Sequence, residues 1–185
     1  MTIVKVKGAD LDVVQTGSGR DLVLLHSLLT DRSAFDLVVP TLAKTRRLTL
    51  VNLPGYGASA PAGPDIEDYA DRIVGLFAAL RLPKQTDVLG NGFGGFISIA
   101  LTARYGDKFD RLIVADALAA FPEPAKQPLR TLADNVAREG MAGALDIAVR
   151  RMFPEAFIAT HPQIVVERKR ALEKLVDLWT RDYYS

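Results

Sequence analysis

Hydrophobic and polar positions change from alternation to short apolar runs early in the chain. Residues 3–7 and 11–15 alternate and are separated by Gly8, Ala9 and Asp10, which predicts a β-hairpin. Four later runs are short and almost wholly apolar. Strands buried on both faces have this composition, and they are typical of parallel sheets because helices cover both faces. These predicted strands are residues 22–25, 48–51, 86–89 and 112–115.

Helical patterns separate the apolar runs. Residues 65–80 place Tyr69, Ile73 and Leu76 at spacings of three and four, residues 93–105 repeat this pattern, and residues 35–43 form a shorter segment. Strands that alternate with helices indicate βαβ units. The sequence therefore predicts the α/β class, with a three-layer, mostly parallel, doubly wound sheet.

The pattern changes after residue 121. Pro122, Pro124 and Pro128 interrupt the chain, and only helical patterns follow, at residues 129–138, 142–151 and 162–179. Pro162 suits a first helical position, where a backbone N–H has no partner in the helix. We therefore expect two parts, a core with six strands in residues 1–121 and a helical segment in residues 122–185.

A glycine-rich turn follows the predicted strand at residues 86–89. Its sequence is Gly90-Asn91-Gly92-Phe93-Gly94-Gly95, and a helix comes next. The spacing matches the G-x-S-x-G nucleophile elbow, a sharp strand-to-helix turn, with Gly92 at the serine position. Glycine adopts the strained backbone of such a turn at little cost. It carries no hydroxyl, so no acyl-enzyme can form on this residue.

The same glycines also match a second motif. Gly90, Gly92 and Gly95 form G-x-G-x-x-G between a strand and a helix, and Asp116 follows 21 residues after Gly95. A dinucleotide-binding fold uses this spacing, with the acid placed to bind a ribose hydroxyl. A third interpretation is that the glycines allow the helix to pack closely on the strand. The turn by itself does not separate these alternatives.

Three further segments carry a family resemblance. Residues 22–28, LVLLHSL, resemble the strand and oxyanion loop of α/β hydrolases, and residues 52–59, NLPGYGAS, resemble their D-x-P-G-x-G-x-S loop with Asn52 in place of aspartate. Residues 111–116 resemble their sixth strand. With the elbow, these are four landmarks in the expected order. The run from His26 to Asp31 is closest to 3-oxoadipate enol-lactone hydrolases, whose cap the segments around Gly140 and residues 152–162 resemble.

The resemblance implies roles for particular residues. The backbone N–H groups of Phe93 and Leu28 would form an oxyanion hole, and Gly92 would hold the nucleophile position without a side chain. His26, Ser27 and Asn91 would contact the substrate, with His26 hydrogen-bonded inside its own loop. Asp116 could hold the alternative position of the triad acid.

The family's catalytic histidine has no counterpart in this sequence. The family order is nucleophile, acid, histidine, and the histidine follows the eighth strand. The chain contains two histidines, of which His26 precedes the elbow and His161 lies in a predicted turn between helices. We therefore expect a hydrolase by lineage, acting on a small carboxylic ester or enol-lactone, in which serine chemistry is not possible. The alternatives are a non-catalytic ligand-binding relative and a dinucleotide-binding oxidoreductase fragment.

Composition narrows the classes of partner. The 185 residues carry a net charge of +1 from scattered basic residues, and there is no cysteine. This balance gives no reason to expect nucleic acid, a membrane surface, a disulfide framework or a thiolate metal site. The first residues lack a signal-peptide pattern, and no apolar run approaches a membrane span. We expect a cytoplasmic protein that binds a small molecule and needs no cofactor or metal.

The last predicted strand raises an expectation about assembly. The family continues through a seventh and an eighth strand, for which this sequence shows no pattern. Residues 112–115 would then form an apolar edge strand without a protecting lysine or proline, and such an edge invites pairing with another chain. If the chain is whole, we expect a homo-oligomer or completion by another chain.

Overall fold

The computed structural model describes residues 2–120, 122–140 and 142–173. The chain divides into two compact units, the first covering residues 1–119 and the second beginning at Ala120. The first unit contains the sheet and three helices, and the second contains helices only among its described residues.

The first unit is built on a six-stranded sheet with the order β1-β2-β4-β3-β5-β6. β1 pairs antiparallel with β2 and β2 pairs antiparallel with β4, whereas the β4–β3, β3–β5 and β5–β6 pairs are parallel. This arrangement confirms the predicted mostly parallel sheet. The strands are β1 (Thr2–Val6), β2 (Ala9–Gly17), β3 (Arg20–Leu25), β4 (Arg46–Val51), β5 (Asp87–Asn91) and β6 (Arg111–Ala115).

The predicted hairpin is present, with a shorter turn than the sequence suggested. Only Lys7 and Gly8 separate β1 from β2, and both have positive φ, at 50° and 83°. A two-residue turn in which both residues have positive φ has the same twist as the strands on either side of it. The turn therefore fixes the register between β1 and β2.

Three helices lie in the first unit, α1 (Val39–Leu42), α2 (Ile66–Ala79) and α3 (Phe93–Tyr105). α2 and α3 match the predicted segments. The single helix predicted at residues 35–43 is wrong, because a 3₁₀ turn at Arg32–Phe35 precedes the separate, short α1. Pro40 lies in the first turn of α1, where its missing backbone N–H costs no hydrogen bond, so it favours a helix that starts there over one that runs through it.

The second unit contains α4 (Glu123–Glu139), α5 (Ala142–Met152), α6 (Glu155–Thr160) and α7 (Pro162–Glu173). The prediction that α4 starts at residue 129 is wrong, because the helix begins six residues earlier and contains Pro128. Helix α6 was not predicted. α7 begins at Pro162 as expected, and its predicted continuation to residue 179 lies outside the described residues. No helix in the described part of the chain is long and apolar enough to cross a membrane.

Burial differs sharply between the central strands and β6. β3 is buried from its second residue to its last, and the last four residues of β4 are buried as well. The expectation that residues 112–115 are buried on both faces is wrong, since Ile113 is 47% exposed and Val114 is 39% exposed. β6 has only β5 as a neighbour in the described sheet, so its side chains have fewer groups to pack against.

We expect the exposed apolar edge at β6 to promote association between copies of this chain. Replacing Ile113 with lysine places a charge on that edge and should shift the protein toward monomer, which light scattering at micromolar concentration measures. Ile3→Lys is a matched control, because Ile3 lies on β1 at the opposite edge and is 41% exposed. A wild-type protein that is already monomeric would contradict this prediction.

Candidate active site

The turn from β5 into α3 has the geometry of an elbow. Gly92 joins the two elements with φ of 53° and ψ of −115°. A residue with a side chain in this region of positive φ is strained, typically by ~1–3 kcal/mol, which glycine avoids. The Gly92 N–H donates to the Ala115 carbonyl at 2.9 Å, and the Gly92 carbonyl accepts from the N–H groups of Gly95 and Phe96. The turn is therefore fixed to both β6 and α3.

Close packing accounts for the other glycines of the turn. A Cβ on Gly90 would collide with the carbonyl oxygen of Gly94, and a Cβ on Gly94 would collide with that of Leu25. A Cβ on Gly95 would lie 2.5 Å from the Ala117 Cβ. Real Cβ atoms do not approach other atoms this closely. The third interpretation of the motif, close approach of helix and strand, is thus sufficient to explain all three residues.

His26 is fully buried at the end of β3 and uses both ring nitrogens. Nε2 accepts the Leu53 N–H at 3.0 Å, so Nε2 carries no proton and Nδ1 carries one. Nδ1 lies 2.8 Å from the Ser27 carbonyl oxygen, to which it donates. Burial lowers the pKa of His26 from 6.5 to about 4, partly offset by this second hydrogen bond. The ring is neutral at pH 7 and is hydrogen-bonded inside its loop, as expected.

The carbonyl groups on either side of Leu28 are both held in place. The Ser27 carbonyl accepts from His26, from the Thr30 N–H at 3.3 Å and from the Thr30 hydroxyl at 3.0 Å. The Leu28 carbonyl accepts from the Tyr56 hydroxyl at 2.7 Å. In a trans peptide the N–H points opposite to the carbonyl. The Leu28 N–H is therefore directed away from His26.

Phe93 is the first residue of α3, so its N–H has no acceptor within its own helix. The next amide, that of Gly94, donates to the His26 carbonyl at 2.9 Å. This hydrogen bond joins the first turn of α3 to the loop that follows β3, residues 26–31, which we call the His26 loop. Phe93 is half-buried, and its ring packs edge-on against Tyr69 with the centroids 5.2 Å apart. The two amides named by the resemblance thus come from two segments that are hydrogen-bonded to each other.

A buried carboxylate, Asp12, lies beside Asn52, the residue that replaces the family's aspartate. Asp12 Oδ2 accepts from Asn52 Nδ2 at 2.8 Å and from Arg32 Nη1 at 2.7 Å. Asn52 Oδ1 accepts the Arg32 N–H at 3.0 Å. Ser59 completes the cluster, because its hydroxyl accepts the Asp12 N–H and donates to the Asn52 carbonyl. The carboxylate beside this loop therefore comes from β2.

The remaining predicted site residues lie in the same region or in the second unit. Asn91 is the last residue of β5 and is partly buried, and its neighbour across the ladder is Ala115 of β6. Asp116 follows β6, is exposed and has a φ of 52°. His161 ends α6 in the second unit, where its ring stacks on Phe157 with the centroids 4.2 Å apart. The ligand-binding and catalytic roles that the resemblance implied stay predictions for all the site residues, Asn91 and Asp116 included.

Four residues that support the site were not found from the sequence: Leu53, Tyr56, Asp12 and Arg32. Leu53 and Tyr56 act through a backbone N–H and a hydroxyl, and nothing in their local pattern indicates those partners. Asp12 gave a usable signal, because it is an acid flanked by the apolar residues Leu11 and Val13. No group of three or more histidine, cysteine, aspartate or glutamate residues within the described ranges could hold a metal ion.

The comparison with protein families agrees with this geometry. The sequence model of the alpha/beta hydrolase fold matches residues 22–163. This match covers the His26 loop, the segment with Asn52, the elbow and β6, as well as most of the second unit. The chain belongs to the α/β-hydrolase fold family.

Particular relatives are esterases and hydrolases. The chain is 30% identical over 138 residues to a pimeloyl-[acyl-carrier protein] methyl ester esterase of Nitrosomonas europaea, covering 71% of this chain and 53% of that protein. It is 29% identical over 180 residues to the 2-hydroxymuconate semialdehyde hydrolase of Pseudomonas sp., covering 84% of this chain and 63% of that protein. The chain thus spans between half and two thirds of the length of these relatives.

Solved structures show the same fold. The enol-lactonase from Burkholderia xenovorans LB400 superimposes with a TM-score of 0.82 at 24% identity, over 96% of this chain and 70% of that chain. A thermophilic esterase from Thermogutta terrifontis gives a TM-score of 0.81 at 24% identity, over 96% of this chain and 68% of that chain.

The buried neutral His26 predicts a pH dependence of stability. The unfolded chain titrates the imidazole near 6.5 and the folded protein near 4, so the unfolded state binds more protons between these values. The neutral ring therefore contributes fully to the free energy of unfolding above pH 6.5. As the pH falls from 6.5 to 4, the free energy of unfolding should decrease by about 3 kcal/mol. Urea unfolding at a series of pH values measures it.

The variant His26→Gln removes the titrating group and should flatten the curve in that pH window. His161→Gln, which removes an exposed histidine, should leave the wild-type curve unchanged. An undiminished slope in His26→Gln would show that other groups cause the dependence.

Restoring the family's aspartate at position 52 should destabilise the protein. Asn52→Asp would place a second carboxylate against Asp12, across a contact that is now 2.8 Å. We expect a loss of about 2 kcal/mol at neutral pH, because two carboxylates this close repel each other and the hydrogen bond from Asn52 is lost. Asn135→Asp is the matched control, because Asn135 faces Arg138 instead. Equal losses in the two variants, measured by urea unfolding, would contradict this prediction.

Proposed function

We propose that this chain binds a small carboxylic ester or lactone at the elbow between β5 and α3, as a hydrolase by lineage that does not use serine acylation. One observation carries the proposal: the elbow keeps its backbone geometry at Gly92, beside the backbone N–H groups of Phe93 and Leu28. These N–H groups belong to the main chain, so they remain whatever side chains the site carries. A substrate carbonyl oxygen would accept from both amides. Hydrogen bonds of this kind contribute ~3–4 kcal/mol of transition-state stabilisation in working enzymes.

The chemistry open to such a site is limited. Gly92 has no atom that can attack a carbonyl, so water would have to be the nucleophile and the acyl group would pass directly to it. His26 cannot act as the base for that water, because Nε2 is engaged by Leu53 and Nδ1 by Ser27. Hydrolysis through polarisation of the carbonyl alone would be slow.

The second candidate is a non-catalytic protein that keeps the binding geometry. Two observations favour it: the glycine at the nucleophile position, and the engagement of both nitrogens of His26 in structural hydrogen bonds. The relatives are named as a methyl ester esterase and a semialdehyde hydrolase. These names support an ester as the ligand, but they do not favour a slow hydrolase over a non-catalytic binding protein.

The dinucleotide alternative has less support. The glycines of its motif, Gly90, Gly92 and Gly95, are accounted for by close contacts and a positive φ. The turn also follows the fifth strand of the chain, whereas the dinucleotide fingerprint follows the first strand of its fold.

The binding proposal is tested by following backbone amide resonances during titration with methyl butyrate and with γ-butyrolactone. We expect the Phe93 and Leu28 amides to shift with saturation, because both would donate to the ligand carbonyl. 1-Butanol, which has a similar chain and no carbonyl, should leave them in place, as should NADH. If neither methyl butyrate nor γ-butyrolactone shifts these two amides, the proposed function is overturned.

Turnover separates the two candidates within the same samples. Release of methanol from methyl butyrate above the buffer rate would support a slow hydrolase. Binding without release would support the non-catalytic protein.

A further inference from the structure

The space beside Gly92 is occupied by the side chain of Ser27. An ideal Cβ built on Gly92 would collide with Ser27 Oγ and would lie 3.0 Å from Ser27 Cβ. A serine at position 92 would begin its side chain at that Cβ. The Ser27 hydroxyl therefore lies in the space where a side chain at position 92 would begin.

The backbone of Ser27 has little freedom to move away. Its carbonyl accepts three hydrogen bonds, from His26 Nδ1 at 2.8 Å, the Thr30 hydroxyl at 3.0 Å and the Thr30 N–H at 3.3 Å. The preceding residue is tied to α3 through the hydrogen bond from the Gly94 N–H to the His26 carbonyl. The position of the Ser27 Cα is thus fixed relative to the elbow, and only the side-chain rotamer remains free.

The Ser27 hydroxyl is also available to a ligand. Ser27 is partly exposed, and its hydroxyl forms no hydrogen bond with another side chain or backbone group in the described part of the chain. A hydroxyl can donate one hydrogen bond. Together with the Phe93 and Leu28 amides it would make three donors around one ligand group.

We propose that Ser27 supplies, from the opposite side of the elbow, the hydroxyl that Gly92 lacks, and that it donates to the ligand as a binding residue. The proposal rests on the proposed function, since it concerns the same site. Three donors suit a carboxylate better than an ester, because a carboxylate offers about four acceptor positions on two oxygens and accepts stronger, charge-assisted hydrogen bonds. Among the ligands of this site, we therefore expect a small ionised carboxylic acid, the product of ester or lactone hydrolysis, to bind more tightly than the ester does.

The proposal predicts that positions 27 and 92 are coupled. Gly92→Ala should lower the Tm through two effects, the positive φ and the collision with Ser27. Gly8→Ala measures the first effect alone, because Gly8 has a φ of 83° and no atom within 4 Å of an added Cβ. A strain of this kind corresponds to a fall of about 2–4 °C for each kcal/mol in a chain of this size.

We expect Gly92→Ala to lower the Tm by clearly more than Gly8→Ala in the wild-type background. In a Ser27→Gly background the Gly92→Ala loss should fall to the Gly8→Ala value, because the collision is gone. Equal losses for Gly92→Ala in both backgrounds would overturn the placement of the Ser27 side chain. This measurement requires no ligand.

Binding tests the second part. Butyrate should shift the Phe93 amide at lower concentration than methyl butyrate does, and Ser27→Ala should weaken butyrate binding at least about 10-fold, the loss expected for one hydrogen bond to a charged group. Ser18→Ala is the matched control, because Ser18 is exposed in the turn between β2 and β3. The Ser18→Ala variant should bind butyrate with the affinity of the wild type.

The outcomes separate this proposal from the proposed function. Wild-type affinity in Ser27→Ala, with the amide shifts intact, would overturn the role of Ser27 and leave the site standing. No shift with butyrate, methyl butyrate or γ-butyrolactone in the wild type would overturn the site and the ligand role together. The coupling of positions 27 and 92 would still be decided by the Tm values.

Discussion

The first turn of α3 approaches the carboxyl ends of β3 and β5 so closely that its contact residues cannot carry side chains. Gly90 and Gly94 meet carbonyl oxygens where a Cβ would be, and Gly95 meets the Cβ of Ala117. This approach lets the Gly94 N–H reach the His26 carbonyl and brings the Phe93 amide beside the His26 loop. A methyl group at Gly94 would push the helix away and separate the two segments of the site.

A buried neutral imidazole then sets the direction of the loop. His26 accepts one hydrogen bond from Leu53 and donates one to the Ser27 carbonyl, so a single tautomer joins the ends of β3 and β4. The fixed Ser27 carbonyl determines where the Leu28 N–H points. The same engagement of both nitrogens leaves His26 unable to transfer a proton, so this histidine positions groups and takes no direct part in chemistry.

Two departures from the family pattern are each matched by a nearby residue of another segment. Asn52 stands where the family has an aspartate, and the carboxylate beside it comes from Asp12 on β2, paired with Arg32. Gly92 stands where the family has a serine, and the hydroxyl beside it comes from Ser27 at the end of β3. In both cases a residue from a different part of the chain places the same kind of chemical group beside the substituted position.

The sequence by itself determined the α/β class, all six strands, the burial of β3 and β4, α2, α3, the hairpin and the position of the elbow. These depend on local periodicity and on glycine spacing, which a sequence displays directly. It misjudged β6 because exposure depends on how many neighbours a strand has in the sheet. It placed the start of α4 too late because the prolines predict an interruption, whereas Pro124 lies in the first turn of α4, where a missing N–H costs no hydrogen bond, and Pro128 lies within the helix. Only the tertiary structure decided the Asp12–Asn52–Arg32 cluster, the tautomer of His26 and the contact between Ser27 and Gly92. Each of these joins residues at least 20 positions apart in the chain, and their proximity arises only once the strands have paired.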